Sequence, residues 1–352
     1  MLQVDNRTPF KAALAVFADP RGVETAYLAV KAAFDIAPEG LRPTARPVPL
    51  LPGDVYWGDP ATTGLRAAGE LTLCKPSTDI VVLGHAIAPQ AGQRAMQASL
   101  RLGPVASTLR VWGLRRWQRR GLGQWKPSEP EPFERVPLRW ELAFGGFERV
   151  PEGGEAKEFE VRNPVGRGFI GRRESGFEDR PLPQIEHPED LLEDPGQRCA
   201  PVGWAPIAPA WAPRRHYAGT YDEAWQKTRS PFLPKDFDPR HLQTAPPALV
   251  SPSPLQGGEP VQLLGCQPAG RTLAFELPRC TLGALFRFRG GEHEVEPRLD
   301  SVILEPDAMR VQMIWRAGFA VDKHLLKLAE VRVDCDEYPR DEYLGTQMRR
   351  VA

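Results

Sequence analysis

Of the 38 prolines in this 352-residue chain, 22 fall between positions 121 and 260. Proline fixes φ and lacks a backbone donor, which bars it from helix interiors and central strands. A segment punctuated this often cannot be a helical bundle or the body of a regular α/β enzyme fold. Yet the same segment carries 15 of the 30 aromatic residues, among them Trp125, Trp140, Trp204, Trp211 and Trp225. A flexible linker is poor in aromatics, because exposed indole costs hydrophobic free energy. The middle therefore reads as ordered loops and short strands packed across a β scaffold. One strand is predicted inside it, over 138–144, ending at Gly145-Gly146.

The flanks carry the scaffold. From Val23 onward the even positions Ala26, Leu28, Val30, Ala32, Phe34 and Ile36 are apolar, while the odd set is mixed and includes Lys31. Met96, Ala98, Leu100 and Leu102 alternate with Gln97, Ser99 and Arg101, and the pattern resumes beyond Gly103-Pro104 as Val105, Ser107, Leu109 and Val111. That period of two predicts a hairpin. A further strand is expected over 79–88, with Gly84 as a bulge. After 260, strands are expected over 271–277, 282–288, 299–304, around Val311, Met313 and Trp315, and over 328–333. Residues 222–228 offer one turn of helix. The expected fold is mainly β: antiparallel sheets, sandwich- or barrel-like, with a long ordered loop region rich in Pro, Gly and aromatics, and few short helices. The parts 1–118, 119–260 and 261–352 form one composite domain in this reading. Whether the two β-rich ends share sheets stays open.

Charge narrows the partners. Forty-five basic residues balance 45 acidic ones, so no net field draws in nucleic acid or an anionic membrane. The longest early apolar run, 12–18, is too short to span a bilayer, and the N-terminus lacks a signal peptide's apolar stretch. Cys74, Cys199, Cys266, Cys280 and Cys335 form no C-x-x-C pair and suggest neither zinc nor a disulfide framework. A soluble cytoplasmic protein without a cofactor is expected.

Sequence motifs for nucleotide, metalloprotease or serine-hydrolase chemistry are absent. The richest polar cluster holds Trp211, Arg214, Arg215, His216, Tyr217, Tyr221, Asp222, Asp236, Asp238, Arg240 and His241. Its Asp and His residues admit a hydrolase site built on Asp222, Asp236, Asp238 and His216. The alternative is that the carboxylates anchor arginines or backbone amides. Asn163-Pro164-Val165-Gly166-Arg167-Gly168-Phe169 reads either as an anion nest with Arg167 adding charge, or as a tight packing loop. Arg110, Arg115, Arg116, Arg119, Arg120 and Lys126 interleave with Trp112, Trp117 and Trp125, a pattern that suits single-stranded nucleic acid or a locally salt-bridged loop. Glu129, Glu131 and Glu134 follow at once and favour the second. His85 sits in an apolar run and is assigned no chemistry.

A series of phrases in order resembles a known family. They include Asn6-Arg7-Thr8-Pro9-Phe10, Val30-Lys31-Ala32-Ala33-Phe34, Lys75-Pro76-Ser77-Thr78-Asp79, Ala143-Phe144-Gly145-Gly146, the Asn163–Phe169 phrase, Ile185-Glu186, Tyr217-Ala218-Gly219-Thr220-Tyr221-Asp222 with Trp225, and Trp315-Arg316. Together they resemble the bacterial domain-of-unknown-function family 2169, which accompanies type VI secretion genes. The resemblance implies a cytoplasmic adaptor or chaperone that helps load a toxic effector onto a VgrG or PAAR-type spike protein, with no catalytic residues to carry over. Leu114 stands where the family usually has a polar residue, and His241 where it has an aromatic. The partner-binding candidates are Trp211, Arg214, Arg215, Tyr217, Tyr221, Asp222, Trp225 and Arg167, since Tyr, Trp and Arg are favoured at interface hot spots.

Overall fold

A computed structural model describes residues 3–121, 123–149, 158–172, 174 and 176–340. Strands make up 40% and helices 9%, so the chain is mainly β, and among the described residues no sheet closes into a barrel. Three large sheets organise it. The first runs Lys11–Ala18, Glu24–Ala37, Arg310–Ala320, Arg298–Glu305 and Asp79–Val82, with Gly40–Pro43 added on Glu24–Ala37. The second runs Ile185–Glu186, Val105–Trp112, Ala95–Leu102, Pro260–Leu264 and Leu273–Glu276. The third runs Gln3–Asn6, Leu328–Cys335, Leu282–Phe288 and Gly291–Val295. Each sheet holds strands from both ends of the chain. Most neighbours are antiparallel, but Gln3–Asn6 and Asp79–Val82 join their partners in parallel.

The predicted hairpin forms with Leu102 opposite Val105, and its even residues Met96, Ala98, Leu100 and Leu102 are buried while Gln97 and Arg101 face solvent. The strand Glu24–Ala37 differs. Positions 25–34 are buried without interruption, so both of its faces are covered. Lys31 is therefore inside, where its Nζ meets Glu70 Oε1 at 2.6 Å and the carbonyl of Pro49. Glu70 also accepts the amide of Leu51, and its own carbonyl accepts two bonds from Arg316. Arg316 pairs with Asp300, Asp300 accepts from Ser301, and Ser301 accepts from Lys75. Lys75 then pairs with Asp79 at 2.6 Å, and Asp79 accepts both the amide and the hydroxyl of Thr244. Three cations and three anions thus form one continuous chain of bonds, every side chain 5% exposed or less.

Two expected strands are broken. Residues 79–88 split into Asp79–Val82 and His85–Ile87, which belong to different sheets. Gly84 between them lets the 306 turn close in: a Cβ there would lie 2.7 Å from Pro306 Cγ. Residues 138–144 are not one strand either. A 3-10 turn at Trp140–Leu142 swings the Trp140 indole inward, where Nε1 donates to the carbonyls of Ala205 and Pro206. The one α-helix among the described residues, Glu223–Thr228, lies where the sequence suggests it. None is long and apolar enough to cross a membrane.

The middle segment packs as loops on this scaffold. Trp140, Trp204 and Trp211 enter the main core, and Trp204 Nε1 donates to Ser107 in the second sheet. A smaller core gathers Trp117, Phe144, Phe169, Ile170, Leu182, Leu192 and Cys199 under the loops. Removing one partner of a buried ion pair strands the other charge, at a cost of about 3–5 kcal/mol. Lys31→Met is accordingly expected to lower the urea-unfolding free energy by about that amount. The double variant Lys31→Met/Glu70→Gln, which keeps an acceptor for Leu51, is expected to recover much of the loss. Equal stability of the single variant and the wild type would remove the network from the energetics.

Candidate functional site

Trp211 and Arg214 turn inward. Trp211 stacks edge-on against Trp140 with centroids 6.3 Å apart. Arg214 is buried, donating through Nη1 to the carbonyl of Ile207 and through Nε to that of His241. His241 Nδ1 returns a bond to the carbonyl of Arg214 at 2.8 Å. Burial, with the nearby Arg214 charge, holds His241 below the usual histidine range despite that bond. These residues lock the loop in place. Arg215, His216, Tyr221 and Asp222 are exposed, while Tyr217 and Trp225 are half-buried. Tyr217 lies under the Arg240 guanidinium at 4.3 Å, and Tyr221 meets Trp225 edge-on at 4.7 Å. Trp225 Nε1 donates to the carbonyl of Phe232, and Arg229 ties the loop to the carbonyls of Pro20 and Arg21. The outcome is a braced knob whose outer surface is Tyr221, the helix Glu223–Thr228 and Phe232.

The three carboxylates proposed for hydrolysis serve this architecture separately. Asp222 caps the helix by accepting the amide of Trp225 at 2.7 Å, the usual N-cap role. Asp236 accepts both the hydroxyl and the amide of Thr220, bonds that hold its carboxyl below the usual range. Asp238 pairs with Arg240, which lowers it likewise. Among the described residues, none of the three bonds to His216, and no group of three or more His, Cys, Asp or Glu could hold a metal ion.

Arg167 belongs to a second loop system. The phrase Asn163–Phe169 is above all a packing loop: Asn163 is fully buried, donates to the carbonyls of Trp140 and Phe144, and its own carbonyl accepts from Gly146 and Gly166. A Cβ on Gly145 would sit 2.1 Å from the Asn163 oxygen, and one on Gly166 2.4 Å from its Nδ2. Only glycine permits this interlock. Arg167 Nε donates to the carbonyl of Glu141. The two loop systems touch where Ala212 donates to the carbonyl of Val161. Near that seam Phe147 and Phe159 face each other across an antiparallel bridge, 57% and 46% exposed, and Val161 is 44% exposed. Sequence reasoning missed these three, since nothing in their spacing separates an exposed loop aromatic from a buried one.

The basic-aromatic run is used locally. Trp112 lies between the guanidinium groups of Arg110 and Arg115, each 4.3 Å from its ring. Arg115 is buried and paired with Glu186 at 2.6 Å, Arg116 donates to the carbonyl of Asp179, and Lys126 reaches Asp194. Of the three following glutamates, Glu129 approaches Arg120 at 4.0 Å. His85 acquires a partner that no local pattern announces: Asp307 Oδ2 lies 2.6 Å from its Nδ1, with Arg135 beside both.

Glu160 anchors the second loop system through a two-pronged pair with Arg162, at 2.7 and 2.8 Å. Burial opposes its ionisation, but the bonds from Arg162 outweigh burial and hold it below the usual 4.5. A depressed carboxyl stabilises the fold above its unfolded pKa and loses that contribution as the pH falls through its folded value. Glu160→Gln should therefore unfold at lower urea than the wild type at pH 7. The gap should narrow as the pH drops below about 4.5. A gap independent of pH would contradict the assignment.

Searches of curated proteins and of solved structures return no match. A family model described as "Uncharacterized protein conserved in bacteria (DUF2169)" matches residues 21–316, from the first sheet's long strand through to Arg316 of the buried charge network. With most of its length inside that match, this chain belongs to the DUF2169 family.

Proposed function

We propose that this protein is a non-enzymatic adaptor or chaperone of type VI secretion, which binds a toxic effector and helps load it onto a VgrG or PAAR-type spike protein. The observation that carries this reading is where large apolar side chains meet solvent. Of the nine such residues among the described positions, five (Phe147, Phe159, Val161, Tyr221 and Phe232) lie in the loop-built middle. Exposed apolar groups cost solubility unless a partner covers them, and loops on a rigid scaffold are the usual place for binding. The separate structural duties of Asp222, Asp236 and Asp238 leave the hydrolase alternative without a shared reacting centre. The resemblance noted in the sequence supplies the type VI context, and a cytoplasmic location follows from it.

Co-expression with a candidate effector and with VgrG or PAAR proteins provides the test. A stable co-purifying complex is expected. Tyr221→Ala and Phe147→Ala should weaken it, each by about tenfold or more if these rings are hot spots. Failure to co-purify with any effector or spike protein would sink the adaptor reading. Unchanged affinity in both variants would move the contact to another surface.

A further inference from the structure

Between the smaller core and the short parallel pair of strands Phe144–Gly145 and Arg167–Gly168 lies a cleft of about 160 Å³. Three arginines, Arg149, Arg167 and Arg180, stand on its wall, and among the described residues no Asp or Glu lines it. Arg180 is engaged on one side only: its Nη2 pairs with Glu174, while its Nη1 is buried without a hydrogen-bond partner. The floor repeats the pattern, for Trp117 is fully buried and its Nε1–H is also unpartnered. Arg167 spends its Nε on the Glu141 carbonyl, and among the described residues no carboxylate lies within ion-pair distance of it or of Arg149. Burial holds the Arg167 guanidinium below its usual range, opposed by the Glu141 carboxylate and reinforced by the positive charge of Arg116.

Buried donors without acceptors cost about 1–3 kcal/mol each, and more when charged. Here two of them, one on a guanidinium, belong to residues of the same cleft, whose three arginines face one paired carboxylate, Glu174 on Arg180, and the more distant Glu141. We propose that this cleft is an oxyanion site, taking one compact carboxylate or phosphate group between Arg149, Arg167 and Arg180. The volume suits a group of that size, being well under the roughly 300–1,000 Å³ of pockets built for larger ligands. Planar guanidinium forks match such oxygens in pairs, and the indole N–H adds a directional donor. The anion can be free or can be carried by an acidic side chain of a polypeptide, in which case Phe147 on the cleft wall would contact the neighbouring residue. The site does not depend on the adaptor reading and stands or falls separately.

Calorimetric titration of the full chain with inorganic phosphate, with acetate and with acetyl-Phe-Asp-amide tests it, sodium chloride holding the ionic strength constant. Saturable binding of at least one is expected. Arg149→Met and Arg167→Met should each weaken it about tenfold or more, as loss of a charge-assisted hydrogen bond implies. Arg240→Met, in the other loop system, should not. Arg149 is exposed and makes no packing contribution to the core, so its variant decides if Arg167→Met does not fold. The indole N–H resonance of Trp117 should move with the same saturation. Tighter binding of the dipeptide than of acetate assigns the anion to a polypeptide, and tighter phosphate assigns it to a free ion. No saturation with any of the three, or unaltered affinity in Arg149→Met, would overturn the proposal.

Discussion

Six ionised side chains buried in a single chain of bonds set the terms for this fold. Lys31, Glu70, Arg316, Asp300, Lys75 and Asp79 come from strands of the first sheet and from the segments laid over it. A charge inside protein is costly unless a partner charge and hydrogen bonds offset its lost hydration. Each of these groups therefore constrains a piece of backbone: Glu70 holds the loop at Leu51, Asp79 holds the loop at Thr244, and Arg316 holds the carbonyl of Glu70. An apolar face would accept many coverings. This one accepts a covering that presents the right donors and acceptors in the right order, which is how a segment with so little regular structure acquires a single path.

The strand-rich ends were legible because alternation is a local signal. The hairpin at Gly103 and the strands after 270 follow directly from it. Lys31 was not legible as an interior residue, since a lysine in a strand ordinarily marks a solvent face, and its acceptor Glu70 is 39 residues away. The same holds for the broken strands at Gly84 and Trp140, where contacts to Pro306 and to Ala205 decide the backbone. In each case the deciding partner is remote in sequence, so no window of neighbouring residues contains the information.

Geometry also sorts the phrases that carry the family resemblance. Lys31, Lys75, Asp79, Asn163, Glu186 and Arg316 are interior residues with structural partners. The Tyr217–Asp222 phrase divides: its first residue lies under Arg240, its last caps a helix, and Tyr221 points outward. Of the eight candidate contact residues, Trp211 and Arg214 are buried and can act on a partner only by holding the loop that others present. Burial, which composition does not encode, separates those that touch solvent from those that do not.

The long strand Glu24–Ala37 pairs along nearly its whole length with Arg310–Ala320. On a ribosome these two segments emerge far apart in time. At roughly 5–20 residues per second, the first waits on the order of tens of seconds for its neighbour. Through that interval a nearly continuous apolar strand has one edge unpaired, the arrangement most prone to join the wrong chain. None of the three large sheets can be completed before strands from beyond residue 260 arrive, so the scaffold cannot mature from its beginning to its end. Until the final strands arrive, that edge is open to whichever strand reaches it first.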